Sequence, residues 1–191
     1  MSQLWVLAGG NGAGKTTFYE KRLKPLGLPF INADEIAKQF YPDNPELNSY
    51  QAAKLAALLR SDMLHRAVSF CYETVFSHPS KIDFIAQAKA RGYQIILVFI
   101  HLSLTDLNKA RVRQRVEEGG HSVPEEKITE RIPRTLANVK AAIPLCDQVR
   151  IFDNSRLDNP YLPIVTIRYG NAVAEIDPVP DWAQAFLNYP G

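Results

Sequence analysis

Gly9-Gly10-Asn11-Gly12-Ala13-Gly14-Lys15-Thr16, followed by Thr17, is the stretch that decides the fold of this chain. It satisfies the phosphate-binding pattern GxxxxGK[ST] at every defined position, and it stands where that pattern has physical meaning. Leu4-Trp5-Val6-Leu7-Ala8 ahead of it is the unbroken apolar run of a strand buried on both faces, and Thr17 to Leu23 behind it can continue as a helix. Gly9, Gly10, Gly12 and Gly14 supply backbone angles closed to other residues and let N–H groups approach phosphate oxygens. Lys15 adds a point charge and Thr16 offers a hydroxyl to a magnesium ion. The positive end of the following helix lies under the same anion. A nucleotide is the expected ligand, with Gly10, Asn11, Gly12, Ala13, Gly14, Lys15, Thr16 and Thr17 around its phosphates.

The 191 residues, 46% hydrophobic and 22% charged, suffice for one domain with one sizeable core. A formal net charge of +2 gives no reason to expect a membrane surface or nucleic acid as the main partner. Cys71 and Cys146 are far apart and lack metal-ligand spacing, which argues against a disulfide framework or zinc site and suits a reducing cytoplasm. The motif begins so early that no signal peptide is expected, and no apolar run approaches the length of a membrane span.

Strands and helices alternate along the chain. Leu28 to Asn32 reads as a second strand, followed by a helix through Ile36, Ala37 and Phe40. A long amphipathic helix from about Ser49 to Ala67 places Ala52, Leu55, Ala56, Leu59 and Met63 on one stripe. Phe70 to Glu73 is a third strand, and Ser80 with Asp83 has the form of a capping box for a helix ending near Gly92. Gln94 to Leu102 is the strongest buried strand; Ser103 with Asp106 opens a helix that ends at Gly119-Gly120. The next helix starts near Pro124 with Ile128, Ile132, Leu136, Val139 and Ile143 on one face, and Pro133 is expected to kink it. Gln148 to Phe152 returns to the sheet, two strands flank a Gly170-Asn171 turn, and a short helix covers Trp182 to Leu187. The expected architecture is α/β: a three-layer P-loop NTPase fold with a mainly parallel sheet of five strands. It occupies one domain over residues 1–191, with its core up to about residue 155 and a C-terminal hairpin and short helix as an appendage.

Ligands of such sheets bind at the carboxyl ends of the strands, which ranks the candidates. Asp34 follows the second strand, where a carboxylate can accept the proton of an attacking hydroxyl or can cap the helix that begins there. Glu73 and Thr74 end the third strand as an acceptor and a hydroxyl suited to a polar substrate or to a strand-end hydrogen bond. His101 ends the fourth strand and reads as structural; no carboxylate stands there, so Asp34 or Glu73 is left to support the metal. Lys109, Arg111, Arg113 and Arg115 precede the Gly119 to Pro124 turn, and Arg131 and Arg134 follow it. Two cationic helices about a glycine hinge read as a lid over the phosphates; interspersed glutamates leave a salt-bridged surface as the alternative.

The ordered set GGNGAGKTT, INADEIA, YETVFS, RVEEGGHSVPEEKITERIPR and FDNS, over roughly residues 3 to 155, resembles the zeta-toxin family of P-loop kinases. Within it the chain looks like the compact branch often labelled a predicted ABC-type ATPase, although no LSGGQ-like segment is present. The resemblance implies a nucleoside-kinase-like fold and ATP- and magnesium-dependent phosphorylation of a hydroxyl, the toxins' substrate being UDP-N-acetylglucosamine. By motif it implies Lys15 and Thr16 on phosphate and magnesium, Asp34 as catalytic base, and Asn32, Asp34, Glu73 and Thr74 around the acceptor. It further implies Arg115 and Arg131 as lid arginines, Asn154 near the adenine, and an antitoxin protein as a candidate partner. Two other readings keep the motif: a nucleotide or polynucleotide kinase, and an ATP-binding switch or toxin-antitoxin component with little turnover.

Overall fold

The computed structural model describes residues 1–118, 120 and 122–188. Of the expected glycine hinge, Gly119 and His121 therefore lie outside the described residues. A seven-stranded sheet runs in the order β2-β3-β1-β4-β5-β6-β7. Its strands are β1 (Gln3–Ala8), β2 (Phe30–Ile31), β3 (Phe70–Thr74), β4 (Gln94–His101), β5 (Gln148–Asp153), β6 (Leu162–Arg168) and β7 (Asn171–Ala174). The first five are mutually parallel. β1 lies between β3 and β4, with Ala8 level with both Thr74 and Phe99, so the phosphate-binding loop leaves the sheet at its middle.

The sheet is covered on both faces, which is why its strands read as continuous apolar runs. Leu4, Val6, Phe70, Tyr72, Leu97 and Phe99 face one core. There they meet α2 (Ala33–Phe40), α3 (Ser49–His65), α4 (Ser80–Ala90), the C-terminal half of α6 (Glu125–Ala142) and α7 (Asp181–Leu187). Trp5, Leu7, Cys71, Ile96 and Val98 point the other way. They pack on Phe18 of α1 (Lys15–Phe18) and on Tyr19 and Leu23 of the π turn that extends it. The three-layer α/β expectation is met.

Several local expectations are corrected. The C-terminal hairpin is not an appendage: β6 pairs antiparallel with β5 through six residue pairs and continues the main sheet. Its two-residue turn is Tyr169-Gly170 rather than Gly170-Asn171, with φ of 48° and 80°, the left-handed pair that matches strand twist. Ser80 does not cap α4; it is the first helical residue, and its N–H donates to Nδ1 of His78 at 3.2 Å. Ser103 does not cap α5 (Thr105–Glu117) either, because its hydroxyl donates to Asp153 at 2.5 Å and its N–H to Ser155 Oγ at 2.8 Å. On α3, Leu59 is 36% exposed whereas Leu64 is buried, so the inner stripe follows Ala52, Ala56 and Leu64. The expected proline-containing helix is present: α6 runs from Glu125 to Ala142 with Pro133 inside it.

Candidate functional site

The loop after β1 is fixed from outside by side chains. Asn108 Nδ2 donates to the Asn11 carbonyl at 2.7 Å, Asn154 Nδ2 to that of Ala13 at 2.9 Å, and the Tyr161 hydroxyl to that of Gly14 at 2.9 Å. Gly14 has φ of 95°, and a Cβ there would lie 2.6 Å from Asn154 Nδ2; the brace requires glycine. Gly10 is different from the expectation, since it takes no positive φ. Its lack of a side chain instead admits Asn108, whose Nδ2 would sit 2.9 Å from a Cβ. Such bracing holds the loop's shape before any ligand arrives.

Lys15 is 6% exposed, and its Nζ donates to Gly10 O at 3.0 Å and lies 3.5 Å from Glu73 Oε1. The other oxygen of Glu73 accepts from Thr16 Oγ1 at 2.7 Å and from Asn32 Nδ2 at 3.1 Å. The β3 carboxylate thus reaches sideways to the P-loop. Thr16 and Glu73 present hard oxygen donors beside a phosphate cradle, the chemistry that magnesium takes. Among the described residues no group of three or more His, Cys, Asp or Glu could hold a metal ion, so such an ion would draw its remaining ligands from phosphates and water.

Asn32 caps α2 by accepting from the Asp34 N–H at 2.9 Å. Asp34 is therefore not the cap; it sits in the first turn with its carboxylate uncommitted to capping. Thr74 Oγ1 accepts from Phe76 N at 3.0 Å and shapes the turn in which buried Phe76 has φ of 64°. That left-handed residue is held by α6, where Thr135 Oγ1 donates to Val75 O and Asn138 Nδ2 to Phe76 O, both at 2.9 Å. One helix thus fixes the end of β3 and carries Arg131.

Two cavities meet at the loop. One, about 360 Å³, gathers Asn32, Asp34, Glu73, Thr74 and Arg131 with Arg60 of α3 and Lys81 of α4. The other, about 370 Å³, is lined by Gly14, Thr16, Thr17, Asn154, Arg111, Arg156 and Tyr161. Gly12, Lys15, Glu73 and Arg115 line both. Each volume is within the small-molecule range, and their junction is at the phosphate cradle.

The arginines separate by partner. Arg113 forms an exposed 2.6 Å ion pair with Glu125, and Arg134 pairs with Glu130. Arg115 and Arg131 face the cavity, Arg131 Nη1 lying 3.4 Å from Asn11 Oδ1. Arg111 donates to the Asn154 carbonyl at 2.9 Å. Gly120 N donates to Arg115 O at 2.7 Å, and a Cβ on Gly120 would come within 2.5 Å of Arg115 Cγ. Val112, Val123 and Ile128, with Ile132 against them, form an apolar cluster apart from both cores, so these helix ends pack on each other.

The remaining strand-end candidates fall outside this junction. His101 packs at 4.4 Å on Trp182 and against Phe99, and burial pushes its pKa down to about 4. Asn154 is 6% exposed, with Nδ2 on Ala13 and Oδ1 accepting from Tyr161 N at 3.2 Å. It borders the second cavity through these braces. Arg60, Lys81, Asn108, Arg156 and Tyr161 were not among the sequence candidates. Only Arg60 left a trace, falling four residues after Ala56 and four before Leu64 on the buried stripe.

A family model described as Zeta toxin matches residues 2–161. A protein of Haemophilus influenzae, described only as uncharacterized, is 30% identical over 136 residues, which cover 68% of this chain and 96% of that one. A crystal structure of the AvrRxo1-ORF1:-ORF2 complex with ATP superposes with a TM-score of 0.73 at 18% identity over 92% of this chain. The chain spans 61% of that protein's length. A structure from the PezAT chromosomal toxin-antitoxin system of Streptococcus pneumoniae gives 0.63 at 17% identity, covering 82% of this chain and 70% of its own.

Proposed function

The chain belongs to the zeta toxin family, and on that premise we propose that it is an ATP-dependent kinase that transfers a γ-phosphoryl group to a hydroxyl of a small molecule. The observation that carries this reading is the meeting of the two cavities at Gly12, Lys15, Glu73 and Arg115, with Asp34 on one side only. ATP enters the cavity bordered by Tyr161 and Arg156, its phosphates on the braced loop and Lys15. Thr16 and Glu73 would hold magnesium, whose chemistry there is to neutralise phosphoryl oxygens. Asp34 takes the acceptor's proton while its oxygen bonds to the γ-phosphorus and the bond to the departing ADP oxygen breaks. Arg115 and Arg131 offset the charge that spreads over the transferred group.

UDP-N-acetylglucosamine is the acceptor proposed first, because family membership supports it and a 360 Å³ cavity beside Asp34 accommodates a small molecule's reacting end. A protein antitoxin is proposed as partner, in keeping with the toxin-antitoxin system to which one structural neighbour belongs. Among the described residues no helix is long and apolar enough to cross a membrane; a cytoplasmic location is the proposal that accompanies a nucleotide-sugar substrate. The test is ATP consumption with and without a panel of nucleotide sugars and nucleosides, with the product identified by mass spectrometry. Acceptor-stimulated turnover and a product heavier by one phosphoryl group are expected. Hydrolysis indifferent to every acceptor would instead favour a nucleotide-dependent switch.

A further inference from the structure

Arg60 and Lys81 enter the acceptor cavity from α3 and α4, and neither belongs to the phosphate loop or to the arginine-rich helices. The Arg60 guanidinium lies 5.0 Å from the Tyr72 ring centre and 5.4 Å from that of Phe84, which holds it against two aromatic rings. Its Nε is buried without a hydrogen-bond partner, and among the described residues neither its other nitrogens nor Lys81 Nζ has a hydrogen bond or ion pair. Neither carboxylate of the cavity serves them: Glu73 is engaged by Lys15, Thr16 and Asn32, and among the described residues Asp34 forms no ion pair with Arg60 or Lys81.

Burial lowers both pKa values, and Arg60 lowers that of Lys81 further. Two cations therefore share one partly dehydrated cavity wall, where Arg60 opposes the charge on Lys81. A folded chain gains nothing from this arrangement by itself; an anion between them would relieve both the desolvation and the repulsion. A phosphate matches two cations in charge and offers acceptor oxygens to a guanidinium fork and an ammonium at once.

We infer that Arg60 and Lys81 form an anion subsite that grips a phosphate group already carried by the acceptor, so that the cavity selects phosphorylated molecules over neutral alcohols. The word acceptor rests on the kinase reading; the phosphate subsite does not. The experiment is calorimetric titration of protein whose P-loop is first filled with a magnesium-bound, non-hydrolysable ATP analogue. The probes are inorganic phosphate, N-acetylglucosamine 1-phosphate and N-acetylglucosamine.

Phosphate should bind, and the sugar phosphate should bind at least about tenfold more tightly than the neutral sugar. Lys81→Gln and Arg60→Gln should each remove most of that preference without changing affinity for the ATP analogue, and Arg60→Lys should restore part of it. Because Arg60 packs on two rings, Lys81→Gln decides the matter if Arg60→Gln does not fold. Absence of phosphate binding, or a preference unchanged in Lys81→Gln, overturns the subsite. Phosphate binding that depends on Lys81 in a protein that phosphorylates nothing would leave the subsite standing and remove the kinase reading. Turnover of neutral acceptors unaffected by either variant would do the reverse.

Discussion

Glu73 accepts a 2.7 Å hydrogen bond from the hydroxyl of Thr16, although 57 residues separate them. The parallel pairing of β3 with β1 makes this possible, because Ala8 and Thr74 are level and the loop after Ala8 curls back over the end of β3. In the proposed kinase, a carboxylate behind the hydroxyl that would hold magnesium would fill the role that no carboxylate takes at the end of β4, where His101 stands. Glu73→Gln keeps the shape and removes the charge. It should raise the magnesium concentration needed for half-maximal turnover on the order of 10-fold to 100-fold. Magnesium titration of ATP consumption checks this. An unchanged magnesium dependence with a raised KM for the acceptor would place Glu73 on the substrate side instead.

Asp34 is separable from the stability of its helix because Asn32 does the capping. Asp34→Asn should reduce turnover by at least about 100-fold, the scale of a lost general base. Binding of a non-hydrolysable ATP analogue should stay within about twofold of the parent. Asn32→Ala should act differently, costing about 1 kcal/mol of stability through the lost cap. Thermal unfolding and steady-state kinetics on the two variants distinguish the roles, and an Asp34→Asn enzyme as fast as its parent would remove Asp34 as the base.

The arginine-rich pair of helices gives a contrast within one cluster. Arg115 lines the junction and Arg131 the acceptor cavity beside it, whereas Arg113 and Arg134 form exposed pairs with Glu125 and Glu130. Alanine at either of the first two should lower kcat on the order of 100-fold, as for other groups that stabilise developing charge. Alanine at either of the last two should change it by less than about twofold, since exposed pairs contribute little. Gly120→Ala tests position rather than charge: its Cβ would meet Arg115 Cγ at 2.5 Å and the Arg115 carbonyl oxygen at 2.7 Å and shift that residue, and kcat should fall while affinity for the ATP analogue holds.

What was legible in the sequence follows from the range of the interactions involved. The phosphate loop and the parallel strands announce themselves through local pattern, and Asp34, Glu73 and the arginines through position at strand and helix ends. The Ser103 cap failed because a distant partner claimed its hydroxyl, Asp153 across 50 residues, whereas Ser80 is engaged locally by His78. The hairpin was misjudged because its pairing with β5 depends on a sheet edge that no local pattern describes. Tyr161 and Asn108 were missed for the same reason: they act on backbone carbonyls 147 and 97 residues away. Arg60 was obscured because the stripe drawn on α3 continued from Ala56 to Leu59 and Met63, while the buried line runs from Ala52 and Ala56 to Leu64, past Arg60.

His101 offers a test of the fold independent of catalysis. It is 8% exposed, tilted against the Trp182 ring, and burial lowers its pKa from 6.5 to about 4, with Asp153 opposing part of that shift. The unfolded chain takes up the imidazole proton near pH 6.5, whereas the folded chain resists until about pH 4. Between those values the unfolded state holds the extra proton, so stability is intact above pH 6.5 and is lost progressively as the pH falls towards 4. The shift corresponds to about 3 kcal/mol at its full extent. His101→Phe keeps an aromatic ring against Trp182 and Phe99 and removes the titration. Urea denaturation at pH 7.5 and 4.5 should show a smaller acid-induced loss in the variant than in the parent. Equal losses in the two proteins would assign the acid sensitivity to another group.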